Sequence, residues 1–91
     1  MTVVPGTFTV RVMVTDVWDQ VVLAVTPATT VAEVKREALS RALRRAGIAL
    51  EDYIVKFQGA QVLDESVGVA DLGAGPNSPF IVLPLRRQAV R

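Results

Sequence analysis

The chain has 91 residues, with ten lysine and arginine residues against nine acidic ones, a net charge of +1 and a hydrophobic fraction of 51%. This balance predicts one folded domain and excludes a disordered tail. Cysteine and histidine are both absent, which excludes disulfides, thiol nucleophiles and the commonest metal and general-base chemistry. We therefore expect no enzymatic activity, no metal site and no cofactor.

The sequence also predicts the compartment. Its apolar runs are far shorter than the roughly 20 residues that span a bilayer, and its N-terminus lacks the basic and apolar segments of a secretory signal. We expect a cytoplasmic protein without membrane insertion. The composition, rich in arginine, valine and alanine, suits a high-GC bacterial genome, so we expect a bacterial source.

The N-terminal part of the chain predicts a hairpin. Apolar residues alternate from Phe8 to Val14 and again from Val21 to Val25, which is the period of a strand with one buried face. Residues 15–19 between them are turn-forming, and Pro27 ends the second strand.

A helix follows the hairpin. Thr30 and Glu33 have the spacing of a capping box, so we expect a helix from Val31 to Ala46, with Gly47 as its C′ residue. The helix is amphipathic. Lys35 falls in the middle of its apolar half, where an ammonium group needs a carboxylate partner or a path to water.

The remaining elements are shorter. The pattern predicts a third strand over Tyr53–Phe57, a short fourth strand over Gln61–Leu63, a helical turn over Gly68–Leu72 and a Gly/Pro-rich loop over 73–79. The almost continuously apolar segment Phe80–Leu83 predicts a central last strand. The predicted order is β-β-α-β-β-β.

This order and several segments resemble the ubiquitin-like proteins. The stretch Val25-Thr-Pro-Ala-Thr-Thr-Val-Ala-Glu-Val-Lys35 is similar to the ubiquitin pattern at the start of its helix, and Phe57-Gln-Gly59 and Val69-Ala-Asp-Leu72 resemble later ubiquitin segments. The resemblance implies an α+β β-grasp fold, with a mixed sheet of four to five strands and one crossover helix. It implies a domain over residues 7–87, between tails at 1–6 and 88–91.

The resemblance also suggests a partner for Lys35. The matching ubiquitin lysine is buried against an aspartate, and the aligned residue here is Asp64. We therefore expect a Lys35–Asp64 ion pair between the helix and a loop. The alternative is that Lys35 extends its ammonium group to solvent.

Two departures from the ubiquitin pattern bear on function. Conjugating and sulfur-carrying members of the family end in Gly-Gly, whereas no glycine follows Gly75 here. Lys56 also stands where ubiquitin has the third-strand isoleucine of its main binding patch. We expect a non-conjugating protein that ubiquitin readers do not bind well.

Strand alternation leaves a set of side chains on the sheet face away from the helix. We expect this face to be a protein-binding surface, because exposed apolar patches with an aromatic anchor usually mark interfaces. The candidate residues are Met13, Trp18, Val22, Ile54, Lys56, Ile81 and Leu83. The alternative is that Trp18 caps its own hairpin and the aliphatic residues are isolated on an ordinary surface.

Charged residues offer two weaker candidates. The helix face with Arg36, Arg41 and Arg44, together with the tail arginines Arg86, Arg87 and Arg91, is a candidate for weak nucleic-acid binding. No aromatic residue stands among these arginines to stack a base, so nucleic acid is the less favoured partner. The adjacent carboxylates at 51–52 and 64–65 are best explained as solvated turns.

These observations predict a non-catalytic ubiquitin-like interaction module or accessory subunit, with a protein partner or a second copy of itself. The chain resembles the small ubiquitin-like accessory proteins of type VII secretion, which also lack Gly-Gly. The alternatives are a ubiquitin-fold subunit of a multicomponent enzyme, a modifier or sulfur carrier, and a weak nucleic-acid binder.

Overall fold

A computed structural model describes residues 6–43 and 48–84 and confirms the β-grasp fold. The sheet strands are β1 (Phe8–Val14), β2 (Asp19–Val25), β3 (Tyr53–Phe57), β4 (Ala60–Gln61) and β5 (Ser78–Pro84). The helix α1 (Val31–Leu43) follows the first hairpin, and short 3₁₀ turns occupy Leu50–Asp52 and Val69–Leu72. The predicted helix end at Ala46 and Gly47 lies outside the described residues, as do the arginines at 44–45 and in the tail.

The five strands form one mixed sheet in the order β2-β1-β5-β3-β4. β1 is antiparallel to β2 and parallel to β5, and β3 is antiparallel to both β5 and β4. The predicted central position of the last strand is therefore confirmed. In the part of the chain that the structure describes, no helix is long and apolar enough to cross a bilayer.

The core lies between α1 and the inner face of the sheet. Most of its buried residues are valines from β1, β2, β3, β5 and α1, whose branched side chains suit a pleated surface. Phe57 on β3 and Phe80 on β5 are register partners, and their rings stack at a centroid distance of 4.8 Å. This pair packs β3 against β5.

Three strands have bounds that differ from those predicted. β2 begins at Asp19 instead of Val21, because Asp19 and Gln20 pair with Val14 and Met13 of β1. β4 covers Ala60–Gln61 instead of Gln61–Leu63, because the chain leaves β3 after Val62 donates to the Val55 carbonyl at 2.8 Å. β5 extends beyond Phe80–Leu83 at both ends. It does so because Ser78 pairs with Val10 of β1 and Pro84 pairs with Tyr53 of β3.

The start of α1 is capped by its own residues and by a distant segment. Thr30 N–H donates to Glu33 Oε1 at 3.0 Å and Glu33 N–H donates to Thr30 Oγ1 at 3.2 Å, which confirms the capping box. Val31 N–H donates to the Val67 carbonyl and Ala32 N–H to the Glu65 carbonyl. All four N–H groups at the helix start, from Thr30 to Glu33, therefore have partners.

Gly68 holds this distant segment close to the chain before the helix. It forms an isolated bridge with Thr30, and Val69 N–H next to it donates to the Thr29 carbonyl at 2.8 Å. A Cβ atom at Gly68 would lie 2.9 Å from the Pro27 carbonyl oxygen. Only glycine fits there without moving the backbone.

Lys35 is buried and paired, but its partner is not the predicted one. The residue is 4% exposed, and its Nζ lies 2.7 Å from Glu65 Oε1 and donates to the Tyr53 carbonyl at 3.0 Å. The predicted Lys35–Asp64 pair is therefore wrong by one residue. The alternative of a solvent-exposed ammonium group is wrong as well.

Asp64 is instead used by its own turn. Its Oδ1 accepts hydrogen bonds from the Ser66 hydroxyl at 2.5 Å and from Ser66 N–H at 3.0 Å. These two bonds lower the pKa of the Asp64 carboxyl below its ordinary value of 3.8. The Asp64 side chain thus closes this turn. The carboxylate that reaches Lys35 on the helix is that of the next residue, Glu65.

The two carboxylates predict different costs of mutation. Glu65→Ala leaves a buried ammonium group without a counter-ion. Because Glu65 is 24% exposed, we expect a loss near the lower end of the range for buried pairs, about 3 kcal/mol. Asp64→Ala breaks only an exposed turn and should cost clearly less than Glu65→Ala. Urea unfolding at neutral pH measures both, and an equal or larger loss for Asp64→Ala would contradict the assignment.

The turn also predicts an acid-sensitive contribution to stability. Because the pKa of Asp64 is lowered in the folded state, the stabilisation is complete above pH 3.8 and is lost as pH falls through the folded-state pKa. Ser66→Ala removes the hydroxyl donor and keeps the N–H donor, so the Asp64 pKa should rise part of the way to its ordinary value. Carboxyl-carbon NMR titration of both proteins measures the change. An unchanged Asp64 pKa would show that the hydroxyl does not hold the carboxylate.

Candidate functional site: the outer face of the sheet

The sheet face away from α1, here called the outer face, brings most of the predicted binding residues together. Its side chains from the three central strands include Arg11, Met13, Ile54, Lys56, Ile81 and Leu83, and Val22 lies on the edge strand β2. Met13 and Ile81 are register partners, and so are Leu83 and Ile54. These two pairs form an apolar centre.

Val22 is separated from that centre. Its register partner on β1 is Arg11, whose guanidinium Nε donates to the Asn77 carbonyl at 3.3 Å. Val22 is 52% exposed at the edge of the sheet. The predicted patch therefore has a continuous centre over β1, β5 and β3, with Val22 beyond a cationic side chain.

Trp18 protrudes from the β1–β2 turn. It is 77% exposed and has a φ of 51°, the left-handed conformation that bulky residues rarely adopt. The alternative that Trp18 folds back to cap its own hairpin is therefore wrong. The turn holds the indole outward at the cost of backbone strain.

A groove of about 440 Å³ lies beside the indole. It is lined by Thr15, Asp16, Trp18, Leu83 and Pro84, so it connects the turn with the apolar centre. Tyr53 Oη donates to Asp16 Oδ2 at 2.5 Å, which ties the turn to β3. No local sequence pattern predicts this bond, because 37 residues separate its partners.

Charges of opposite sign lie at different ends of the outer face. Lys56 is the register partner of Ile81 and adjoins the apolar centre, whereas Asp16 lies at the turn and lines the groove beside Trp18. A partner would thus need an apolar centre, an anionic group near Lys56 and a cationic group near the turn. Lys56 occupies the third-strand position that the sequence comparison with ubiquitin singled out.

The basic helix face is electrostatically mixed in the described residues. Arg36 and Arg41 share a surface with Glu33 and Glu37, and Arg41 Nε lies 3.8 Å from Glu37 Oε1. Neighbouring carboxylates weaken a field that would attract phosphates. This face offers less support for nucleic-acid binding than its arginine content suggests.

A second apolar depression was missed by sequence reasoning. It has a volume of about 290 Å³, lies between β4 and the 3₁₀ turn at Val69–Leu72, and includes Phe57, Val62 and Leu72 in its lining. Leu63 at its rim is 85% exposed. The adjacent apolar pair Val62-Leu63 was the available signal, since neighbours in an extended chain point to opposite sides.

Comparison with known proteins supports the fold alone. No protein-family model and no curated protein matches the sequence. Among solved structures, the chain is similar to the ubiquitin of Caldiarchaeum subterraneum, with a TM-score of 0.74 and 14% identity over 93% of this chain and 100% of that one. It is also similar to a ubiquitin-like domain of an Arabidopsis thaliana protein, with a TM-score of 0.71 and 14% identity over 93% of this chain and 84% of that one.

A third similar structure is a protein designed on the basis of ubiquitin, with a TM-score of 0.73 and 14% identity over 96% of this chain and 99% of that one. The chain thus has the ubiquitin-like β-grasp fold across nearly its whole length. At this level of identity, binding partners and activities are not carried over with the fold.

The strain at Trp18 predicts an unusual mutation. Asparagine tolerates a positive φ far better than tryptophan, and the exposed indole contributes little packing. We expect Trp18→Asn to leave the free energy of unfolding unchanged or to raise it by up to about 1 kcal/mol. Thermal and urea unfolding measure the change. A clear loss of stability would show that the indole is a structural cap.

Proposed function

We propose that this chain is a non-catalytic ubiquitin-like interaction module that binds a protein partner through its outer face. The observation that carries the proposal is the highly exposed Trp18, held in a strained conformation beside Leu83 and Pro84. A folded protein tolerates such strain mainly where function requires it, and tryptophan is the residue type most enriched at binding hot spots.

The surroundings of Trp18 support the same function. Met13, Ile81, Leu83 and Ile54 form an apolar centre next to the groove, and burying apolar surface against a partner is worth about 25 cal/mol per Å². Lys56 gives this centre a different electrostatic character from an apolar ubiquitin patch. The expected partner is therefore distinct from the proteins that bind ubiquitin.

The proposal also takes the folded body of the protein as the functional part. No glycine follows Gly75 in the sequence, so the Gly-Gly pair of conjugating and sulfur-carrying relatives is not available in residues 76–91. We propose that the chain acts in the bacterial cytoplasm as an accessory subunit that binds a protein partner and is not conjugated to it. The narrower resemblance to accessory proteins of type VII secretion stays a prediction from the sequence.

Affinity purification from the source cells tests the binding surface. The protein carries an N-terminal tag, and quantitative mass spectrometry compares the wild type with a Trp18→Ala/Ile81→Glu double variant. Both positions are exposed, so the variant should fold normally by circular dichroism. We expect recovery of the partner to fall at least roughly tenfold, as for a hot-spot loss.

Ser40→Glu is the matched control, because Ser40 is exposed on α1 and far from the outer face in the fold. It should recover the partner as well as the wild type does. Equal recovery by the double variant would contradict binding through the outer face. The same extracts, probed for the N-terminal tag under denaturing conditions, should contain no higher-mass adduct, and an adduct would restore the modifier alternative.

A further inference from the structure

Among the residues that the structure describes, nothing pairs with the outer edge of the strand β2. It is the outermost strand, it is seven residues long, and its one-to-one register with β1 leaves no bulge. Proteins usually protect such edges with lysine, proline, bulges or very short strands. β2 has none of these, and its only charged residue is Asp19 at its first position. The opposite edge, β4, has only two residues.

The hydrogen bonds of β1 show which backbone groups of β2 are free. Thr15 N–H donates to the Val82 carbonyl, and the Thr9 carbonyl accepts from Asn77 N–H, so the odd-numbered residues of this strand face β5. Successive residues alternate, and the even-numbered residues of β1 therefore bond β2. Their register partners are Asp19, Val21, Leu23 and Val25. The N–H and C=O groups of Gln20, Val22 and Ala24 consequently point outward from the sheet.

We propose that β2 pairs with β2 of a second copy of this chain, antiparallel and centred on Val22. Val22 is the middle residue of the strand, and a two-fold axis through it aligns Gln20 with Ala24 of the other copy. Each of these residues has its free backbone groups on the outer edge, so the two chains exchange about six hydrogen bonds. The result is one continuous sheet across the two copies.

The side chains suit this register. The two Val22 side chains, each 52% exposed in the single chain, meet at the axis on the outer face, where an apolar pair is favourable. Asp19, the only charge on the strand, is placed opposite Val25 and away from its own symmetry mate. No like charges therefore face each other along the pairing.

The helix beside the edge is also compatible with a second copy. A groove along β2 and α1 is lined by Leu23, Val25 and Val34, together with two carboxylates and two guanidinium groups. These charged residues are Glu33, Arg36, Glu37 and Arg41. Their charges sum to zero and alternate in sign along the helix. The two-fold axis brings two such surfaces to the same side of the joined sheet without net repulsion.

The natural absence of cysteine makes the register testable. In the full chain, Val22→Cys should form an intermolecular disulfide in mild oxidant, because hydrogen-bonded antiparallel partners have Cα atoms about 5.5 Å apart. Ala24→Cys alone should cross-link at least roughly tenfold more slowly, since its symmetry mate lies four residues out of register, more than about 10 Å away. A mixture of Gln20→Cys and Ala24→Cys should give the mixed dimer.

Sedimentation velocity of the wild type, from roughly 10 μM to 1 mM, measures the association without cross-linking. We expect a shift from monomer to dimer. Val22→Lys places two ammonium groups opposite each other and should raise the dissociation constant roughly fivefold or more. Val17→Lys is the matched control, because Val17 is similarly exposed but lies in the turn, and it should leave association unchanged.

Three results would overturn the proposal. A monomer at every concentration would contradict self-pairing, and an extended segment of a different protein would then be the candidate to pair with β2. Cross-linking of Ala24→Cys as fast as Val22→Cys would exclude the register. Association that is lost in Ile81→Glu but kept in Val22→Lys would place the contact on the outer face. The Trp18→Ala/Ile81→Glu variant keeps β2 intact, so failure of the proposed function leaves these results unaffected.

Discussion

The contact between the start of α1 and the segment from Glu65 to Ala70 is the constraint on which the rest of the structure depends. This segment caps the helix through its carbonyl groups, neutralises Lys35 and forms a bridge from Gly68 to Thr30. It therefore fixes where the helix begins and how it lies over the sheet. Since the helix covers one face only, the same contact leaves the other face uncovered by residues 6–43 and 48–84.

Features that depend on local patterns could be predicted from the sequence, whereas long-range contacts of this kind could not. The strand periods, the Thr30–Glu33 capping box and the central β5 were predictable, because each depends on neighbouring residues or on apolar continuity. The partner of Lys35 was not. Asp64 and Glu65 are adjacent carboxylates, and the choice between them depends on the Ser66 hydroxyl closing the Asp64 turn.

The candidate site shows a similar division. Strand alternation correctly placed Met13, Ile54, Ile81 and Leu83 on one face, because side-chain direction in a strand follows from parity. The conformation of Trp18 and the bond between Tyr53 and Asp16 depend on how a four-residue turn packs against β3. Neither the amino-acid composition of the turn nor the hydrophobic period of the strands determines that packing. The β2 edge likewise became visible only once the strand order was known.

The protein has a single tryptophan, and the β1–β2 turn leaves most of its surface in water. The near-ultraviolet emission of the folded chain therefore comes mainly from one indole beside the groove and not from the core. Any molecule that settles against Leu83 and Pro84 would change the polarity around that indole. The wild-type chain thus carries its own optical reporter of occupancy, and no dye or label needs to be attached to the surface under study.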